Sequence, residues 1–335
     1  MENEVIISPA EMQLTFYEVL IKYGFEKEKA LQCAQIFTAN TLDGVYTHGI
    51  NRFPRFVEYI KNGWIKINAI PSLINAVGGI EQWDGNLGAG ILNAVHATGR
   101  SMLLAKQNGI GCVTLSNTNH WMRAGYYAWM AAKKGYVFIA WTNTIANMPA
   151  WNALDNKLGN NPIVFSLPYK NEAIVLDMAM SQFSFGAMEM AQLKNEKLSV
   201  NGGYDAEGNL TNDASAIMQS KRPLPIGYWK GAGFALLLDL LSVVLSGGSS
   251  THEISKREGE YGVSQVFICI DINKLKHHSI IANTVNNIID DYHSSVSINN
   301  KKEILYPGER ILVTRKKNAN GIPVLKKIWQ QVNEL

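Results

Sequence analysis

The chain has 335 residues, of which 47% are hydrophobic and 18% are charged, the composition of a globular protein that can bury a sizeable core. Its 31 basic and 28 acidic residues give a formal net charge of +3 and form no basic stripe, so neither nucleic acid nor a membrane is expected as a partner. The N-terminus lacks the pattern of a secretory signal, and the three cysteines lack disulfide spacing. We therefore expect a protein of the reducing cytoplasm.

The first 75 residues predict a helical unit. Ser8, Pro9 and Glu11 have the form of a helix start, in which the serine side chain accepts an orphan N–H and the proline occupies the first turn. Apolar residues then repeat at helical spacing as far as Gly24. Two further helical patterns end near Leu42 and at Gly63.

From residue 76 onward, strand and helix patterns alternate. A short strand at 79–84 precedes a glycine-rich turn and a helix at 91–107. Further strands are predicted at 110–115, 137–141, 163–167, 174–177, 266–272 and 311–314, and helices at 124–134, 232–245, 280–292 and 324–335. We predict an α/β fold with a mixed sheet. Its domains are an α/β domain at 76–274 and a discontinuous cap, mainly helical, formed by 1–75 and 275–335.

Neither glycine-rich segment matches the dinucleotide fingerprint G-x-G-x-x-G. Gly88 and Gly90 are followed by asparagine at position 93, and Gly231 and Gly233 by leucine at position 236. No strand–helix–strand unit with a later acidic residue surrounds the first pair. A standard Rossmann domain is therefore not expected.

A short loop between two predicted helices contains two side chains that are typical of catalysis. His48 titrates near neutral pH and is the usual type of proton donor or acceptor. Arg52 lies four residues later, and its planar guanidinium group can bind a carboxylate with two hydrogen bonds. The spacing alone leaves a second interpretation open, a buried histidine and a surface arginine in a helix–helix connection.

Two more candidate positions lie where predicted strands end. His120 and Arg123 directly follow a strand, at the edge of the sheet where α/β proteins usually bind ligands. The alternative for His120 is a structural histidine stacked on Trp121. Asp177 ends an apolar strand, where an unpaired carboxylate is costly. It is a candidate either to orient a catalytic histidine or to cap a helix.

Two weaker candidates and one exclusion complete the site analysis. Lys230 lies at a helix start among aromatic and glycine residues, which suits contact with a phosphate or ribose. The turn at 307–310 has charges of both signs and is most often a solvated loop. The seven histidines and three cysteines lack metal-ligand spacing, so no metal site is expected.

Taken together and in order, the motifs resemble the type II malate/L-lactate dehydrogenase family over nearly the whole chain. The matching segments are THGINR at 47–52, GIG at 109–111, NHW at 119–121, GNNP at 159–162, LDM at 176–178, KGAG at 230–233 and PG at 307–308. The resemblance implies a non-Rossmann NAD(P)-binding fold and a cytoplasmic, homodimeric oxidoreductase that reduces a small-molecule 2-keto acid. The expected substrate is 2,3-diketo-L-gulonate. The alternatives are malate, lactate, ureidoglycolate or a cyclic imino acid, or a catalytically inactive binding protein.

The resemblance also assigns roles to residues. His48 would donate a proton to the ketone oxygen, Arg52 would bind the substrate carboxylate, and His120 and Asp177 would line the same site, with Asp177 or another carboxylate holding the protonated His48. The cofactor, NAD(H) with NADP(H) left open, would contact Ala173, Ile174, Val175, Leu176, Asp177, Met178, Ala179, Trp229, Lys230, Gly308, Glu309 and Arg310. One departure from the family pattern, Asn160 in place of the common threonine, leaves the choice between NADH and NADPH open.

Overall fold

The computed structural model describes residues 4–276, 278–298 and 303–335; the few other residues of the predicted cap lie outside this description. The helices are α1 Pro9–Lys22, α2 Lys27–Leu42, α3 Phe53–Lys61, α4 Gly90–Asn108, α5 Ala124–Ala132, α6 Phe185–Leu193, α7 Ala214–Ser220, α8 Trp229–Ser246, α9 Thr251–Ile254, α10 His278–His293, α11 Glu309–Asn318 and α12 Lys326–Asn333. The strands are β1 Glu4–Ile7, β2 Ser72–Val77, β3 Ile80–Asp84, β4 Ile110–Thr118, β5 Tyr136–Thr142, β6 Met148–Pro149, β7 Asn156–Leu158, β8 Ile163–Tyr169, β9 Glu172–Met178, β10 Gly203–Tyr204, β11 Leu210–Thr211, β12 Val263–Asp271 and β13 Ile322–Leu325.

A seven-stranded mixed sheet forms the centre of the fold, as predicted. Its strand order is β2-β3-β4-β12-β5-β8-β9. Only β3 and β4 run parallel, and every other neighbouring pair is antiparallel. The strand β9 lies at one edge of this sheet, so one side of its backbone is free to meet other groups.

The N-terminal helices share one apolar core with the C-terminal end of the chain. Ser8 caps α1 by accepting the Glu11 N–H at 3.1 Å, and α1 and α2 bury Phe16 and Phe37 against α3. The strand β1 pairs with β13, and Val332 of α12 is buried in the same core. In contrast, α10 packs through Ile289 against the end of β8. The domain boundaries at 75 and 275 stay a prediction.

Two predicted elements differ from the structure. The segment 311–314, expected to be a strand, is part of the helix α11. Charged residues flank this short apolar run at helical spacing, and only one face of the helix, with Ile311 and Leu312, packs on the sheet core. The helix expected at 324–335 begins only at Lys326, since the preceding residues form β13 opposite β1. The strands β1 and β2 were not predicted. The strand β1 depends on a partner at the other end of the chain, and β2 is exposed along its whole length.

The helix α8 is buried on one face only. Ala232, Ala235 and Leu238 pack on the sheet, whereas Leu237 and Val244 are 55% and 74% exposed. Among the described helices it alone is long and apolar enough to cross a membrane, judged by length and composition. Asp239, in the middle of this helix, accepts hydrogen bonds from Asn143 and from the Thr251 N–H, which fixes the helix to neighbouring loops of the α/β unit.

Candidate active site

A cavity of about 730 Å³ is lined by five segments of the chain. They are the loop at 45–55, the start of α5, the second half of β9, the start of α6 and the turn before α11. Its volume is within the range usual for small-molecule sites. Two short 3-10 turns, Tyr46–His48 and Ile50–Arg52, form the centre of the loop. The loop is fixed to α2, because Thr41 accepts the Ile50 N–H at 2.9 Å and Asn40 donates to the His48 carbonyl at 3.0 Å.

The structure brings His48 and His120 together in this cavity. Their rings are stacked, with centroids 5.7 Å apart and planes inclined by 15°. Burial, and after it the positive charges of Arg52 and Arg123, together lower the pKa of His48 to about 3. Burial also holds the pKa of His120 well below its usual value, and the positive charge of Arg52 contributes to lowering it. Both imidazoles are therefore neutral in the free protein at neutral pH.

The two histidines differ in what holds their Nδ1 atoms. The Nδ1 atom of His120 accepts the Met122 N–H at 3.0 Å. This bond places the proton of a neutral His120 on Nε2, where it can be donated. The Nδ1 atom of His48 lies 3.2 Å from the hydroxyl oxygen of Thr47, which can donate or accept. His48 can therefore gain a second proton without breaking a backbone hydrogen bond, and His120 cannot.

Arg52 lies next to the histidines and has no close partner among the described residues. Its NH2 atom is 3.8 Å from the Oε1 atom of Glu260, too far for a hydrogen bond. Burial lowers the pKa of Arg52, and the charge of Glu260 opposes that shift. A guanidinium group that is enclosed but not hydrogen-bonded can accept an anionic ligand.

Asp177 is not hydrogen-bonded to either histidine, contrary to the orienting role considered from the sequence. Its Oδ2 atom accepts the Gly125 N–H in the first turn of α5 at 2.8 Å and lies 3.7 Å from Arg123 Nε. The helix-capping alternative describes this contact better, although the helix is α5 rather than a neighbour in sequence. Burial raises the pKa of Asp177, against the opposing effects of Arg123 and the Gly125 N–H.

A buried charge network lies behind the cavity. Asp43 accepts hydrogen bonds from Arg123 NH1 at 2.5 Å and from Arg315 Nε and NH2 at 2.6 and 2.9 Å. Both guanidinium groups also lie over the ring of Trp129, at 5.0 and 5.1 Å from its centroid. The network joins the end of α2 to α5 and α11, and residues of α5 and α11 line the cavity.

The predicted cofactor positions divide into two groups. Val175, Leu176, Asp177, Met178, Ala179 and Gly308 line the cavity. Ala173, Ile174, Trp229, Lys230, Glu309 and Arg310 do not. Glu309 instead accepts the Tyr306 N–H and is bonded to His293, and Trp229 is 64% exposed.

The wall near Gly308 fits a bound cofactor. Gly308 has a positive φ of 94°, and a Cβ atom there would lie 3.1 Å from the Val175 carbonyl oxygen. The turn therefore packs directly on the β9 backbone, where the Val175 N–H donates to the Pro307 carbonyl at 3.0 Å and a side chain would be crowded. The indole N–H of Trp129, which also lines this wall, is buried and has no hydrogen-bond partner among the described residues, so it can donate to a ligand.

Several lining residues were not identified from the sequence as site residues. They are Asn51, Arg55, Thr144, Asn147, Glu189 and Glu260. Glu260 is 208 residues from Arg52 in sequence, and no local pattern marks it. Among the described residues, no group of three His, Cys, Asp or Glu side chains is placed to hold a metal ion.

Solved structures show which class of protein has this fold. Malate dehydrogenase from Entamoeba histolytica superposes with a TM-score of 0.93, covers 99% of this chain and 97% of its own, and is 24% identical. Sulfolactate dehydrogenase from Methanocaldococcus jannaschii superposes with a TM-score of 0.89, covers 98% and 96%, and is 27% identical. The mixed-sheet fold of this chain is therefore one that these dehydrogenases share.

The sequence comparison identifies the family. The sequence model described as malate/L-lactate dehydrogenase matches residues 7–333. The chain is also 41% identical over 327 residues to the 2,3-diketo-L-gulonate reductase of Escherichia coli O6:K15:H31, covering 97% of this chain and 98% of that protein. The chain belongs to the malate/L-lactate dehydrogenase family, which confirms the resemblance found in the motifs. It is an oxidoreductase, and its family implies a nicotinamide cofactor.

Proposed function

We propose that this protein reduces the 2-keto group of 2,3-diketo-L-gulonate to give 3-keto-L-gulonate, with NADH as the reductant. The observation that supports this most is the placement of Arg52, which is only weakly paired with Glu260, beside the His48–His120 pair in one cavity. The identity of 41% to a 2,3-diketo-L-gulonate reductase supports the choice of substrate.

Arg52 is proposed to bind the substrate carboxylate. Its side chain faces the cavity and is only weakly paired with Glu260. A carboxylate held by two hydrogen bonds would place the adjacent 2-keto carbon at a fixed distance from the guanidinium group. The neighbouring imidazoles would then face the ketone oxygen.

His48 is proposed as the proton donor, and His120 as a hydrogen-bond donor to the same oxygen. A nicotinamide cofactor, when bound, would supply a hydride to the keto carbon, so negative charge would develop on the ketone oxygen. A proton from His48 converts this oxygen to a hydroxyl group, while the Nε2–H of His120 can stabilise the charge without being transferred. The Met122 N–H bond of His120 supports this division of roles.

Substrate binding is proposed to bring the proton to His48. In the free protein its pKa is about 3, because of burial and then the charges of Arg52 and Arg123. The negative charge of a carboxylate bound to Arg52 offsets part of that positive field, which raises the pKa. The pKa of His48 would therefore be higher in the substrate complex than in the free protein, which favours its role as proton donor.

The cofactor is proposed to lie along β9, in contact with residues 173–179 and the turn at 308–310, and to reach Trp229 and Lys230. The position of residues 175–179 and Gly308 on the cavity wall and the unpartnered Trp129 N–H support this placement. The proposed reductant is NADH, with NADPH left open, and the relative rates with the two cofactors decide between them.

The first test is to follow NADH oxidation with 2,3-diketo-L-gulonate, pyruvate, oxaloacetate and Δ1-piperideine-2-carboxylate, and to repeat it with NADPH. We expect the highest kcat/KM with diketogulonate. Preference for another substrate would keep the site but move the activity to another member of the family. Absence of both turnover and cofactor binding would indicate an inactive binding protein instead.

A second test addresses the proton donor. We expect His48→Ala to keep the fold and NADH affinity but to lose about 10²–10⁴ in kcat. His252 is an exposed histidine outside the cavity, so His252→Ala is the matched control and should retain activity. Near-normal turnover in His48→Ala would refute the assignment, and His120 would then be the next candidate.

We also propose that the protein is a homodimer and that the exposed face of α8 forms part of the interface. Leu237, Leu240 and Val244 on that face are 55%, 50% and 74% exposed, and apolar patches of this kind usually mark contact surfaces. Val244→Glu should convert the dimer to a monomer in light scattering coupled to size-exclusion chromatography. A monomeric unmodified protein would contradict the proposal.

A cytoplasmic location, without membrane or nucleic-acid partners, completes the proposal. All three cysteines are free, and burial raises the pKa of Cys269 to about 12 and that of Cys112 to about 11. Such thiols are unreactive structural residues that suit a reducing compartment. Recovery of the protein with membranes after cell fractionation would contradict this location.

A further inference from the structure

Six charged side chains line the cavity: Arg52, Arg55, Arg123, Asp177, Glu189 and Glu260. Arg123 and Asp177 lie 3.7 Å apart, and Arg123 is also bonded to Asp43. Their charges are therefore largely matched within the protein. The other four, two of each sign, are available to act on a substrate.

Glu189 is held on the side of α6 that faces the catalytic loop. Gly186, three residues earlier, packs so closely on Thr47 that a Cβ atom would lie 2.0 Å from the Thr47 methyl group. Residues three apart lie on the same face of a helix. The helix start is fixed by Ser184, which accepts the Ala187 N–H at 3.1 Å. The Glu189 carboxylate therefore faces the cavity that contains His48.

The charge of Glu189 acts on Arg52 without pairing with it. Burial lowers the pKa of Arg52, and Glu260 and Glu189 are the carboxylates that oppose this shift. Glu260 is within 3.8 Å of Arg52 and accepts the Ile145 N–H. Glu189 has no hydrogen-bond or ion-pair partner among the described residues, so its acceptor capacity is free for a ligand.

We infer that Glu189 is a specificity-determining residue that accepts hydrogen bonds from hydroxyl groups on the distal part of the substrate and disfavours a second carboxylate there. The inference rests on the proposed function, because it takes Arg52 as the group that binds the first carboxylate. It assigns the substrate class as polyhydroxylated monocarboxylates.

The chemistry of the two substrate classes explains the discrimination. A hydroxyl group can donate to a carboxylate, and a hydrogen bond to a charged acceptor is stronger than one between neutral groups. A second carboxylate has no proton to donate, and it would be placed near both Glu189 and Glu260. With Arg52 already paired with the first carboxylate, Arg55 is the one remaining cation of these four side chains, against the two carboxylates of Glu189 and Glu260.

The test is to measure by calorimetry the binding of L-gulonate and L-malate in the presence of NADH, where neither ligand can react. For Glu189→Gln we expect the ratio of the malate Kd to the gulonate Kd to fall roughly tenfold or more, since one charged hydrogen bond is lost and one repulsion is removed. Glu196→Gln is the matched control, because Glu196 is exposed beyond the end of α6 and does not line the cavity. Its ratio should equal that of the unmodified protein.

Two outcomes would overturn the inference while leaving the proposed function intact. Equal weakening of both ligands in Glu189→Gln would indicate a purely structural role. Unchanged Kd values for both ligands would show that the carboxylate does not meet the distal part of the substrate. If the unmodified protein binds neither ligand, the carboxylate site at Arg52 fails, and the inference fails with it; the turnover assay reports separately on the reductase activity.

Discussion

Replacing Asp43 by asparagine should destabilise the protein strongly, because one carboxylate neutralises two arginines. The Asp43 side chain is only 7% exposed, and that of Arg123 is 4% exposed. Removal of one partner from a buried ion pair typically costs about 3–5 kcal/mol, since the remaining charge stays buried without compensation. Arg315 adds less, because its side chain is 28% exposed and keeps a 3.8 Å contact with Glu172. We therefore expect Asp43→Asn to lower the free energy of unfolding by about 3 kcal/mol, at the lower end of that range.

The assay is equilibrium unfolding in urea, with Asp155→Asn as the matched control. Asp155 pairs with Lys157 at 3.1 Å, but the two side chains are 68% and 72% exposed. An exposed pair of this kind contributes about 0–1 kcal/mol, so the control should change little. A loss of less than about 1 kcal/mol in Asp43→Asn, at an unchanged dependence on urea, would refute the view that this network stabilises the junction of α2, α5 and α11.

Three further predictions concern the cavity. The kcat of reduction should fall at a higher pH than kcat/KM does, because the pKa of His48 rises once a carboxylate is bound. In the free protein that pKa is about 3, through burial and the charges of Arg52 and Arg123. Coincident pH profiles of kcat and kcat/KM would contradict this. Arg52→Lys should raise the KM for the keto acid about 10–100-fold in initial-rate assays, since the two-pronged contact is lost, and an unchanged KM would exclude the carboxylate role. Gly186→Ala should lower the free energy of unfolding by about 1–3 kcal/mol, because the new Cβ atom clashes with Thr47. Gly99→Ala is the control: no atom lies within 4 Å of its new Cβ, and it should raise the free energy of unfolding by about 0.5–1 kcal/mol. Equal effects of the two variants on thermal unfolding would contradict this difference in packing.

The sequence was most informative where structure depends on neighbours along the chain. The Ser8 cap predicted the start of α1, and the apolar runs predicted strands β4, β5, β8 and β9 with small errors at their ends. Where a residue's conformation depends on distant partners, the prediction failed. The run at 311–314 has the composition of a strand, but its position after Gly308 and its packing on the sheet core make it a helix.

The candidate site shows the same division. The loop signals at His48 and Arg52 and the strand-end signals at His120 and Asp177 all led to residues of one cavity. The partners of these residues were not predictable in this way. Glu260 lies near Arg52, and Gly125 binds Asp177 through a backbone N–H, contacts that exist only after the chain has folded.

The charge network of Asp43, Arg123 and Arg315 reaches the cavity only through Arg123, and its other two members lie behind the wall. The His48 loop follows α2, whereas β9 belongs to the sheet, so the distance between proton donor and cofactor wall depends on how these two parts meet. Arg123 touches both, since it is bonded to Asp43 at the end of α2 and lies next to Asp177 at the end of β9. Because its charge is matched by these carboxylates, Arg123 can fix the junction without competing with Arg52 for the substrate. The most buried arginine of the site is thus a positioning group, and the less buried Arg52 is free to bind a ligand.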